Sequence, residues 1–329
     1  MQAVGLGPRG EKAFPADKLV LTAAEAAQAR AGRFAVAIVL HTTTSDWSRQ
    51  ELAGIVATLG HHGATVTEII DCGFDKAKQN HELLRLATAP IHAVISLPIG
   101  SAGVLEGHRA ITRAGKTLVL LDNAPSGLRP GVDYLAVSSA DNFGLGAIAA
   151  ELASPYVTNE GVAGILNYEA EFFVTNEREI AFRKWMSAER PDVTLVRGRF
   201  AKVEDAGEAY RRLLADNDDL DCLFVAWDVP ALKVLCAIRE GAQTLPIVTV
   251  DLGNEIAAEL RSGGPLKGIA AQRPYDQGAA AAGAALLGLI GRQPPAWISS
   301  TGLKVTRESL RESYEAVWHA PAPPFELRL

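Results

Sequence analysis

At 329 residues, with 48% hydrophobic and 21% charged residues, the chain can bury one large core or two ordinary ones, and two are expected. Its formal net charge of -6 and pI near 5.7 give no attraction to nucleic acid or to an anionic membrane, which excludes both as partners. No apolar run reaches the roughly 20 residues of a membrane span, so the chain as given reads as soluble. Met1 to Gly10 lacks a basic segment followed by an apolar one, as would a secreted domain without its leader. Residues 1–33 read as a tail and one short helix, alanine-rich behind Thr22 as N-cap, leading into the first strand.

From Phe34 onward short apolar runs alternate with amphipathic stretches. The runs are Phe34–Leu40, Thr65–Ile70, Ala93–Leu97, Leu118–Leu121, Gly164–Leu166, Leu223–Ala226, Ile247–Val250 and Gly268–Ala271. Helical segments between them include Ser48–Gly60, Asn142–Leu152, Glu177–Ser187, Asp205–Ala215 and Pro274–Ile290, the last nearly all Ala, Gly and Leu. This rhythm predicts βαβ units around parallel sheets. Cys72, Cys222 and Cys236 form no CxxC and sit at no metal-ligand spacing, so they are expected to be small buried hydrophobes, and no metal site is expected.

The sequence echoes itself at a constant offset. Phe34 and Ala163 open matching strands, Ala93 and Cys222 open another pair, and Leu118 and Ile247 a third, each pair 129 positions apart. The third pair ends on Asp122 and Asp251. Two lobes of one topology are predicted. The expected architecture is α/β: two doubly wound parallel-sheet lobes joined by three crossovers, near 139–141, 272 and 298–301, where Pro294-Pro295 and Ser299-Ser300 break the preceding helix. The lobes are 33–139 with 273–298, and 140–272 with 299–329, behind an N-terminal extension of 1–32.

In open α/β sheets ligands sit beyond the carboxyl ends of the strands. Those ends carry His41-Thr-Thr-Thr-Ser-Asp-Trp47, Leu97-Pro-Ile-Gly-Ser101 and Asp122-Asn123 in the first lobe. In the second they carry Tyr168 to Arg178, Trp227-Asp228 and Asp251. A polyol needs this mixture, because each hydroxyl both donates and accepts while the C–H face is apolar.

Together, Ala270-Ala-Gln-Arg-Pro-Tyr-Asp-Gln-Gly278, Asp122-Asn123, Ala140-Asp141-Asn142, Thr175-Asn176-Glu177-Arg178 and Val250-Asp251 make the chain resemble the ribose-type branch of the type I periplasmic sugar-binding proteins, from about Arg33 to Val305. The resemblance implies a receptor of an ABC transporter that closes on a neutral monosaccharide or sugar alcohol, with a membrane permease as partner, no cofactor, and a periplasmic or secreted address. A monomer is expected. Position by position it implies ligand contacts at Ser45, Asp46, Trp47, Asp122, Asn123, Asn176, Arg178, Trp227, Asp251 and Gln272. Asn123 stands where ribose binders have arginine and Trp227 where asparagine is frequent, which points to a linear polyol ahead of ribose.

Three other functions fit less well. A nicotinamide enzyme would need a glycine-rich turn where Thr42 to Trp47 stand. A hydrolase would need glycine in place of Ile99 to form a nucleophile elbow, and His61, His62 and His81 read as surface residues with no matching acid. Catalysis is therefore not expected. A sugar-sensing transcriptional regulator would need a DNA-reading module ahead of the core, where 33 residues precede the first strand.

Overall fold

The computed structural model describes residues 5–169, 172–241 and 244–324. Of the segments expected above, residues 1–4 of the N-terminal extension, 170–171 in the Tyr168–Arg178 stretch and 325–329 of the second lobe lie outside the described residues. The chain divides into two compact units, one running to Asp141 and including Arg273–Ser300, the other comprising Asn142–Gln272 and the chain from Thr301.

In the first unit the order is β1 (Phe14–Pro15), α1 (Ala23–Gly32), β2 (Ala35–Leu40), α2 (Asp46–His61), β3 (Thr65–Asp71), α3 (Lys76–Thr88), β4 (Ala93–Ser96), α4 (Leu105–Arg113), β5 (Thr117–Leu121) and β6 (Ala136–Ala140). The second unit follows with α5 (Asn142–Ala153), β7 (Val162–Tyr168), α6 (Phe173–Glu189), β8 (Thr194–Phe200), α7 (Ala206–Asp216), β9 (Leu220–Val225), α8 (Asp228–Glu240), β10 (Ile247–Val250), α9 (Asn254–Ser262) and β11 (Leu266–Ala271). The chain then adds α10 (Pro274–Leu289) and β12 (Trp297–Ser300) to the first unit, and β13 (Leu303–Val305) and α11 (Leu310–Trp318) to the second.

The two sheets run β1-β12-β6-β5-β4-β2-β3 and β13-β11-β10-β9-β7-β8. Pairing is parallel throughout except for β13, which runs antiparallel to β11. The order β3-β2-β4-β5-β6 therefore matches β8-β7-β9-β10-β11 strand for strand. The 129-residue echo is a repeat of topology: β2, β4 and β5 hold the places that β7, β9 and β10 hold.

Elements that the sequence left unread have physical causes. β8 is an edge strand whose residues are exposed or half-buried up to the buried Phe200 at its end, so it lacks an apolar run. β6 is buried but built from small and hydroxylated residues, and β12 is a buried strand of four in which only Trp297 and Ile298 are apolar; Ser138 Oγ reaches a partner only in three dimensions, donating to the Gln277 carbonyl at 2.9 Å. Ser299-Ser300, expected to break a helix, are instead the last residues of β12. The segment ahead of β2 is more than a tail. β1 pairs with β12, and Arg9 donates to the carbonyls of Pro125 and Leu128. Thr22 does cap α1, in a capping box with Glu25. Cys72 and Cys222 are buried, but Cys236 is exposed on α8, a correction to its expected burial.

α10 packs on α2 in the first unit, and glycine sets their separation. A Cβ on Gly278 would lie 2.1 Å from the Glu51 carbonyl oxygen, and one on Gly54 would lie 2.0 Å from that of Tyr275. Backbone cannot yield as a side chain can. Gly278→Ala should therefore destabilise by about 1–3 kcal/mol through overpacking. Gly283→Ala, whose Cβ would meet the side chains of Leu19 at 3.4 Å and Leu21 at 3.8 Å, should be neutral or slightly stabilising. Urea unfolding of the two variants checks the contrast.

Candidate functional site

Polar chemistry gathers at the carboxyl ends of both sheets. In the first unit β5 runs out at Leu121, and Asp122 turns the chain with φ of +53°. In the second unit β10 runs out at Val250, and Asp251 does the same with φ of +73°. Two non-glycine residues in the left-handed region at equivalent positions are a shared strain, and such strain concentrates at working sites.

Each aspartate is nearly sealed and held by an amide. Asp122, 4% exposed, accepts from Ser139 Oγ at 2.7 Å and from Gln277 Nε2 at 3.1 Å. Asp251, 7% exposed, accepts from Gln272 Nε2 at 2.6 Å. Burial pushes the Asp251 carboxyl above its ordinary range, while the Arg178 guanidinium and the Gln272 hydrogen bond pull it down. The second unit thus brings together Arg178, Asp251 and Gln272, three residues separated in sequence.

Arg178 is itself anchored, donating from Nε to Asn142 Oδ1 at 2.9 Å and from Nη1 to the Ala226 carbonyl at 3.0 Å. Asn176 is half-buried on the same helix, two positions earlier and so about 200° round the axis from Arg178. Trp227 stands at the N-terminus of α8, its ring 5.7 Å from Tyr168 and 5.4 Å from Phe200. In the first unit, Ser45 is the N-cap of α2, its Oγ accepting from Ser48 N at 3.1 Å. Asp46 pairs with Arg49 at 3.1 Å. Trp47 follows, with His41 at 5.9 Å, and its indole Nε1 is buried without a protein partner. Asn123 donates its Nδ2 to the Pro98 carbonyl at 3.0 Å, bracing the loop after β4. Ser45, Asp46 and Asn123 therefore carry local structural duties.

Sequence reasoning assigned no role to Gln277 or Ser139, the residues that hold Asp122. Gln277 lies inside the stretch Ala270–Gly278, but its aim at Asp122 depends on α10 docking on the sheet. Phe200 escaped with the rest of β8. Among the described residues no group of three His, Cys, Asp or Glu side chains could hold a metal ion, and no helix is long and apolar enough to cross a membrane.

Two doubly wound units of matching strand order, with polar residues at the carboxyl ends, define a type I periplasmic-binding-protein fold. The model of the periplasmic binding protein domain family matches residues 36–293, and the chain belongs to that family. Similar solved structures include an ABC transporter solute-binding protein from Agrobacterium vitis bound with alpha-D-tagatopyranose, at TM-score 0.79 and 20% identity over 88% of this chain and 100% of that one. A carbohydrate transporter solute-binding protein from Agrobacterium radiobacter in complex with D-arabinose matches at 0.76 and 20%, over 87% and 98%. A second solute-binding protein from Agrobacterium vitis, with bound allitol, matches at 0.72 and 20%, over 86% and 98%. No curated protein sequence matches the chain.

The left-handed backbone at the two aspartates yields a test of strain. Asp122→Ala removes the acceptor of two buried donors and leaves a Cβ in the left-handed region, whereas Asp122→Gly removes the acceptor and the Cβ together. Both should lose stability, by about 1–3 kcal/mol for the stranded donors, with the alanine variant worse by about 1 kcal/mol. The same order is expected for Asp251→Ala and Asp251→Gly in equilibrium urea unfolding.

Proposed function

We propose that this protein is the solute-binding receptor of an ABC transporter, binding a neutral monosaccharide or sugar alcohol and presenting the closed form to a membrane permease. The observation that carries this reading is the pair of amide-held aspartates, Asp122 and Asp251, at equivalent strand ends, each unit also offering an indole at Trp47 or Trp227. Carboxylates accept from hydroxyls, Arg178 and the amides donate, and indoles cover the C–H face. Similar folds are found with alpha-D-tagatopyranose, D-arabinose and allitol, and family membership supports an address outside the cytoplasm.

The carboxylates favour an uncharged ligand. A sugar acid would bring its own carboxylate among Asp46, Asp122 and Asp251, where like charges repel strongly once desolvated. Hinge closure follows from the architecture proposed, because few backbone angles at three crossovers need to change.

Thermal-shift screening against D-tagatose, D-arabinose, allitol, glycerol and D-gluconate tests the ligand class. A neutral compound at 100 times its Kd should stabilise by about 2.7 kcal/mol. A response to gluconate alone overturns the neutral-ligand reading. For the compound that binds, Asp251→Ala should weaken affinity about 10- to 150-fold in calorimetry, the loss of one charge-assisted hydrogen bond. Small-angle scattering with identical profiles with and without that compound would remove hinge closure.

A further inference from the structure

The first unit buries an acid that the proposed binding residues do not include. Glu51 lies on the face of α2 that meets α10, its backbone carbonyl facing Gly278, and its side chain is wholly buried at 0% exposure. Neither carboxyl oxygen has a protein hydrogen-bond partner. An ionised carboxylate in that position would have lost its water with nothing in return, so the group takes the neutral form. Burial and the negative charge of Asp122 both push its pKa well above the usual glutamate range.

Other charges do not relieve it. The elements packed against α2 present Arg273, Tyr275 and Asp276 at the start of α10 and Glu68 and Asp71 on β3, and α2 itself carries Asp46, Arg49 and His61. None of them bonds to the Glu51 carboxyl, and the one charge that acts on it appreciably is Asp122. Gln277, one residue before the Gly278 that faces the Glu51 carbonyl, is the side chain of α10 that reaches Asp122. Its Nε2 donates to Asp122, which fixes the orientation of the amide and leaves Oε1 buried and without a partner. A carboxylic acid can supply the missing donor, directly or through one water, whereas a carboxylate cannot.

We propose that Glu51 is a positioning residue for the carbohydrate site, a neutral acid that steadies the Gln277 amide and through it the Asp122 carboxylate, so that ionising Glu51 loosens Asp122 and weakens sugar binding. This rests on the reading of Asp122 as a ligand contact. An acid with a raised folded-state pKa makes its full contribution to stability below the ordinary glutamate range, and that contribution is lost as pH rises through the raised value. Affinity should follow the same course.

Glu51→Gln keeps the shape and a donor but cannot ionise. Melting curves from about pH 5 to about pH 9 should show a falling stability in the wild type that Glu51→Gln lacks and that shrinks in Asp122→Asn, which removes the repelling charge. Calorimetry with whichever of D-tagatose, D-arabinose or allitol binds should show affinity falling at least about tenfold over that range in the wild type and less than about threefold in Glu51→Gln. Glu51→Leu, without a donor, should bind more weakly than Glu51→Gln at every pH. Parallel melting curves for wild type and Glu51→Gln would overturn the proposal. So would an unchanged pH dependence of affinity in Glu51→Gln, which would leave Glu51 a packing residue. Failure of all three sugars to bind the wild type defeats the carbohydrate reading instead, while the melting curves, which need no ligand, still decide whether Glu51 answers to Asp122.

Discussion

Both units depend on a parallel sheet sealed on its two faces. Strands β2, β4, β5, β9 and β10 are buried along almost their whole length, so their residues are apolar and polar side chains are driven to the ends. At the carboxyl ends the chain must turn at once into a helix or loop. There the backbone offers polar groups, and there Asp122 and Asp251 adopt a conformation that costs an L-residue about 1–2 kcal/mol. The surrounding donors offset that cost.

The two aspartates are steadied differently. Asp122 has a serine and a glutamine as neutral donors, and the buried acid of Glu51 lies within electrostatic reach. Asp251 has a glutamine and, within electrostatic reach, the guanidinium of Arg178. The first unit is therefore the more acidic in its immediate surroundings and the second the more cationic. A hydroxyl can answer either setting, because it turns its proton toward a carboxylate and its lone pairs toward a guanidinium.

The margin of the first sheet is closed from both ends of the sequence. β12, which returns to the first unit after the second is complete, pairs with β6, and β1 pairs with β12 in turn. Arg9 ties the same N-terminal segment to the loop that follows β5, through the carbonyls of Pro125 and Leu128. β6, whose small buried residues offer little side-chain area, is in this way covered by backbone pairing.

The sequence by itself determined what is local or periodic. Apolar runs located the buried strands, the Thr22 cap located α1, and the offset between Leu118 and Ile247 made the repeat visible, because a strand buried on both faces has few ways to be written. Asp122 and Asp251 were legible for the same reason, as the first polar residues after such runs. Tertiary structure decided the rest. β6, β8 and β12 carry too little apolar character to announce themselves, and their pairing partners lie far away in sequence. No local pattern marks Glu51 as buried, and the packing of α2 on α10 was needed to show it. Gln277 reads as one polar residue in an alanine-rich helix. Its amide meets Asp122 across 155 positions of chain, a contact set by how the helix docks on the sheet, which no local pattern records.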